Sequence, residues 1–146
     1  MGRILAIDYG RRRVGLAISD PLKIIAQGLP TLIIDTPRDI IDWVIKQREE
    51  REIEQIVLGL PRSLSGGLGP MAEEVMEFSQ HLAEKTRLPV KLVDERLTSR
   101  EAQATFVQAG KKLKGRKEAI DKIAAILLLE HYLEIINPSA IEGFDD

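Results

Sequence analysis

The chain has 146 residues, 44% hydrophobic and 30% charged, with a net charge of −2: enough for one domain around a substantial core, too apolar for general disorder, and not basic enough overall to bind nucleic acid by bulk charge. There is no cysteine, and His81 and His131 are the only histidines, which excludes disulfides, thiolate metal sites and cysteine nucleophiles and disfavours a histidine-rich metal centre. No run approaches the roughly 20 apolar residues of a membrane span and strand-like residues begin at once, so a single cytoplasmic domain over residues 1–146 with no membrane association is expected.

The segment from Arg3 to Asp8 reads as a buried central strand ending in an acid. Gly10 permits a tight turn, three arginines follow, and Val14–Ile18 returns as the second arm of a hairpin. Ile24–Ala26 and Thr31–Ile34 suggest a third strand, on an edge because Pro30 removes a ladder donor. Thr36 and Pro37 read as the cap and first residue of a helix with a stripe of Ile40, Ile41, Val44 and Ile45. Gln55–Leu60 is the fourth strand. A glycine-rich loop, Arg62–Gly69, then precedes a helix opened by Pro70 that buries Met71, Val75, Phe78 and Leu82. Val90–Val93 is the fifth strand and runs into Asp94, Glu95 and Arg96; Thr98 and Glu101 have capping-box spacing for the next helix. After a basic loop a final, almost wholly apolar helix runs to Asn137 and Pro138. This order predicts an α/β fold: a mixed five-stranded sheet, three strands as an antiparallel meander and two added in parallel through helical crossovers, flanked by helices.

Ligands in open sheets collect beyond the carboxyl ends of parallel strands, and here those ends carry Asp8, the Gly59-Leu60-Pro61 segment and the Asp94-Glu95 pair. Asp121 shares a helical stripe with Ala124, Ala125, Leu128 and Tyr132, and the small alanines would let that helix approach the sheet closely. Each acid has a plainer explanation: Asp8 bonding turn amides, Asp94 and Glu95 in a solvated turn paired with Arg96, Asp121 favouring a helix start. Brought together, three carboxylates repel one another unless a cation joins them, and an all-oxygen set suits Mg²⁺ or Mn²⁺ better than Zn²⁺. Basic residues gather at Arg11, Arg12 and Arg13 and again at Lys111, Lys112, Lys114, Arg116 and Lys117; such clusters hold phosphates or are simply solvated loops. His131, late in an apolar helix, reads as packed, and the glycine-rich loop lacks the lysine of a phosphate-binding loop.

Four segments together carry a resemblance that spans nearly the whole chain: Ile7–Ala17 with Ser19-Asp20, Ile56–Pro61, Asp94–Ala102, and Lys117–Ala125 with Ile120-Asp121. In that order they resemble the YqgF/RuvX family, Holliday junction resolvases also linked to pre-16S ribosomal RNA processing. The resemblance implies an RNase H-like fold and a metal-dependent nuclease centre. Asp8, Glu95 and Asp121 stand at the positions of the family's catalytic and metal-binding acids. Ser99, where the family often has threonine, is a small departure. Strand parity leaves open whether Asp94 or Glu95 faces the metals; Glu95 has the longer reach, with Asp94 behind it as a partner that orients Arg96.

The expected activity is therefore a Mg²⁺- or Mn²⁺-dependent endonuclease, with two ions, acting on structured RNA or branched DNA. Arg11, Arg12, Arg13, Arg96, Lys111, Lys112, Lys114, Arg116 and Lys117 would contact the nucleic acid. A rival of a different class is a non-catalytic nucleic-acid-binding factor in ribosomal RNA maturation. An actin-like phosphotransferase also carries an Asp-x-Gly strand end, but needs two such modules to enclose ATP. A two-fold homodimer suits paired cuts in a junction and a monomer suits RNA trimming.

Overall fold

In the computed structural model, residues 2–61, 69–94 and 117–138 are described. Five strands form one sheet in the order β3-β2-β1-β4-β5, where β1 is Arg3–Asp8, β2 Arg13–Ser19, β3 Ala26–Ile33, β4 Ile53–Leu60 and β5 Val90–Asp94. β1 pairs antiparallel with β2 and β2 with β3, whereas β4 pairs parallel to both β1 and β5. This is the meander plus two parallel strands that the sequence predicts. Pro30 lies within β3, at the sheet edge, where its missing N–H interrupts nothing beyond.

Three described helices cover the sheet: α1 (Arg38–Gln47), α2 (Pro70–Thr86) and α3 (Lys117–Ile136). None is long and apolar enough to cross a membrane. The helix expected after Thr98 lies outside the described residues. β1 is apolar on both sides because both of its faces are covered. Leu5 and Ile7 join Ile40, Val44, Val75 and Phe78 in the core under α1 and α2, while Ile4 and Ala6 join Ala17, Val57, Leu129 and Tyr132 under α3.

Two local expectations change. Thr36 does not cap α1; the Asp39 carboxylate instead accepts the backbone N–H groups of Asp35 and Thr36, at 2.8 and 3.1 Å, and Pro37 occupies the cap position. Ile24 and Ile25 are exposed and precede β3 rather than forming its start. The Asp20 carboxylate holds that turn by accepting from Leu22, Ile24 and Ile25.

Candidate active site at the carboxyl edge of the sheet

The α3 face of the sheet is floored by small residues. Asp8 pairs with Gly15, Ala6 with Ala17, and Ala17 with Gly28 across three neighbouring strands. A side chain at Gly15 would place its Cβ 2.3 Å from the backbone oxygen of Asp121 and 3.4 Å from the Ala125 Cβ. The α3 backbone therefore rests directly on the sheet at Gly15. Residues paired across antiparallel strands lie about 5 Å apart. One glycine thus has Asp8 beside it in the sheet and Asp121 above it. The stripe of small residues expected to draw the helix down is part of this contact: Ala125 is fully buried, with Leu128 and Tyr132 also buried further along α3.

Arg13, on the same face at the start of β2, donates from Nε to Asp121 Oδ2 at 2.9 Å. The pair is partly shielded, with side-chain exposures of 35% and 26%. Arg11 goes elsewhere: it is 68% exposed and its Nη2 meets Glu74 Oε1 on α2 at 3.0 Å. Arg12 is exposed in the same turn, and its carbonyl accepts from the Ile34 N–H. The three consecutive arginines thus have three separate environments rather than forming one basic patch.

Strand parity at β5 is now defined. Val93 packs in the core under α3, whereas Val90 and Leu92 pack on the α1 and α2 side. Asp94 has the parity of Val90 and Leu92, opposite to that of Asp8. Glu95, Arg96, Lys111, Lys112, Lys114 and Arg116 lie outside the described residues, and Lys117 opens α3. Among the described residues no three His, Asp or Glu side chains gather as a group able to hold a metal, so Asp8, Asp94 and Asp121 do not form such a set by themselves.

Other features lie away from this edge. His131 is half-buried in α3, with no hydrogen-bond partner for its Nε2 among the described residues. A cavity of about 330 Å³ opens between α1 and α2, lined by Ile41, Phe78, His81 and Lys85 among others, on the opposite face of the sheet from Asp8. Glu74 is the residue the sequence did not single out: it bonds Tyr9 as well as Arg11. Its signal in the sequence was position, in the second turn of a helix that follows a strand parallel to the one ending in Asp8.

The fold is shared with Holliday junction resolvases of the RNase H-like class. A structure described as "T. thermophilus RuvC in complex with Holliday junction substrate" superposes with a TM-score of 0.56 at 15% identity, covering 92% of this chain and 95% of that one. The fowlpox virus Holliday junction resolvase gives 0.54 at 13% identity, covering 92% and 99%. Within that class, residues 2–135 match the family described as "RuvX: Holliday junction resolvase". The chain belongs to this family. Its relatives include proteins named "Putative pre-16S rRNA nuclease" from Halothermothrix orenii, 40% identical over 92% of this chain and 96% of the relative, and from Koribacter versatilis, 44% identical over 91% and 87%.

Proposed function

We propose that the chain is a nuclease that hydrolyses phosphodiester bonds in structured nucleic acid with divalent cations held by Asp8, Glu95 and Asp121. Its substrates would be the 5′ region of pre-16S ribosomal RNA, a four-way DNA junction, or both. Nuclease activity follows from the family and from the names of its relatives. The observation that carries the catalytic reading is the contact at Gly15, which has Asp8 as its strand partner and the Asp121 backbone against it.

The donor set fits a hard cation, since it offers carboxylate oxygen without sulfur or imidazole. Asp8, Glu95 and Asp121 would hold Mg²⁺ or Mn²⁺, proposed as two ions, which when bound would supply a more acidic water and charge stabilisation for the leaving oxygen. The chain's part is to hold the carboxylates. Asp94, on the face opposite to Asp8, is the less suited of the two neighbouring acids as a ligand, which supports Glu95 in that role and leaves Asp94 to orient Arg96. The Arg13 guanidinium balances and steadies Asp121. Arg12 and the basic residues at 111–117 would hold flanking phosphates, which positions substrate without reading its sequence.

The test is cleavage of a four-way junction, linear duplex DNA and single-stranded RNA side by side, with Mg²⁺, Mn²⁺ or chelator. Metal-dependent cutting that disappears in Asp8→Asn is expected. Full activity in Asp8→Asn would refute the site. Tight binding with no cleavage on any substrate would favour the accessory-factor reading instead.

A further inference from the structure

Asp8 and Tyr9 are neighbours in sequence that face opposite sides of the sheet. Asp8 continues the parity of Ile4 and Ala6 toward α3, while Tyr9 is buried in the core under α2, its ring centroid 5.1 Å from that of Phe78. The Tyr9 hydroxyl donates to Glu74 Oε2 at 2.5 Å, and Arg11 Nη2 donates to Glu74 Oε1 at 3.0 Å. A single α2 carboxylate therefore grips the turn after Asp8 on both sides of Gly10. The turn has little slack of its own: a Cβ on Gly10 would stand 2.1 Å from the Arg13 carbonyl oxygen.

We propose that Glu74 is a positioning residue for Asp8: by holding Tyr9 and Arg11, its carboxylate fixes from behind the sheet the turn that aims Asp8 at the α3 face. The proposal rests on the reading of Asp8 as a catalytic acid. Stability alone does not account for the arrangement, because the Arg11 arm is exposed and such pairs contribute little. Catalytic geometry is far less tolerant, since a shift of about 1 Å can cost on the order of a hundredfold in rate. Arg11 accordingly serves the turn rather than the substrate.

The test measures kcat and KM for the full chain on whichever substrate it cuts, in Glu74→Ala, Tyr9→Phe, the double variant and Glu74→Gln, with Ser79→Ala as a control on the same helix. Glu74→Ala and Tyr9→Phe should each lower kcat about tenfold with KM nearly unchanged, and the double variant should be no worse than the worse single. Glu74→Gln, which keeps an oxygen for Tyr9, should recover most of kcat. Parental kcat in Glu74→Ala, or a rise in KM alone, would overturn the positioning role while Asp8→Asn is inactive. Full activity in Asp8→Asn would instead overturn the reading of the site.

Discussion

Gly15→Ala tests the contact on which the site is built. The added methyl would lie 2.3 Å from the Asp121 carbonyl oxygen, about 1.1 Å short of ordinary contact at 3.4 Å. The obstacle is helix backbone, so no side-chain rotation relieves it: α3 must lift or β2 must sink. Forcing extra volume into a packed interface costs about 1 to 3 kcal/mol. A displacement of about 1 Å between Asp121 and Asp8 should lower kcat by up to roughly a hundredfold. Gly28→Ala is the matched control, because its methyl would meet the Lys122 side chain and the tip of Ile126 instead of backbone. Those atoms can swing aside, so the control should lose less stability and keep most of its rate. Urea denaturation with metal-dependent cleavage rates reads both effects. Gly15→Ala with parental kcat and with stability within about 0.5 kcal/mol of the parent would refute the close approach of α3 and the shared site inferred from it.

Three further outcomes follow. Asp8→Asn should abolish cleavage yet leave the metal-free melting temperature equal to or above the parent's, because on the proposed site it removes repulsion between Asp8 and the other acids; a lowered melting temperature would show that Asp8 is structural. Arg12→Ala should reduce the salt slope of nucleic-acid affinity by about one, whereas Arg11→Ala, already committed to Glu74, should reduce it less; equal slopes for the two would refute their different environments. Burial opposes ionisation of Asp20, but the amides of Ile25, Ile24 and Leu22 outweigh it and hold the carboxyl below its ordinary 3.8. The stabilisation is complete above that value and is lost as pH falls through the lower folded value, so Asp20→Asn should flatten the acid limb of the stability profile and leave its slope near neutrality unchanged.

The sheet was legible because its signals are local. β1 is a continuous apolar run, β2 follows a glycine turn, and Pro30 identifies an edge. The misses arise where a side chain answers a distant or competing partner. The fourth strand, read from the sequence as Gln55–Leu60, starts earlier at Ile53, and Glu54 within it meets Lys23 Nζ at 2.6 Å. Thr36 has the composition of a cap, but Asp39 reaches back first. The run Arg11-Arg12-Arg13 read as one basic cluster, since sequence adjacency shows charge but not the partners, which lie 63 and 108 residues away for Arg11 and Arg13. Asp8 and Asp121 were legible as acids at strand and helix ends. Parity at Asp94 needed the strand and its packing, and Glu74 needed the tertiary contact itself.

The close seating of α3 also bears on the order in which activity arises. Arg13 and Asp121 are 108 residues apart, so a ribosome releases the first strand and its acid long before the helix that completes the pocket. Until that helix docks, Ile4, Ala6, Ala17 and Val57 form an uncovered apolar surface on an otherwise pairable sheet. Docking then performs two tasks at once: it hides this adhesive surface and sets the Asp121 backbone against Gly15, the strand partner of Asp8. On the proposed site, a partly made chain would be without its third acid and could not yet cut nucleic acid near the ribosome. Maturation of the fold and arming of the proposed site would then be one event.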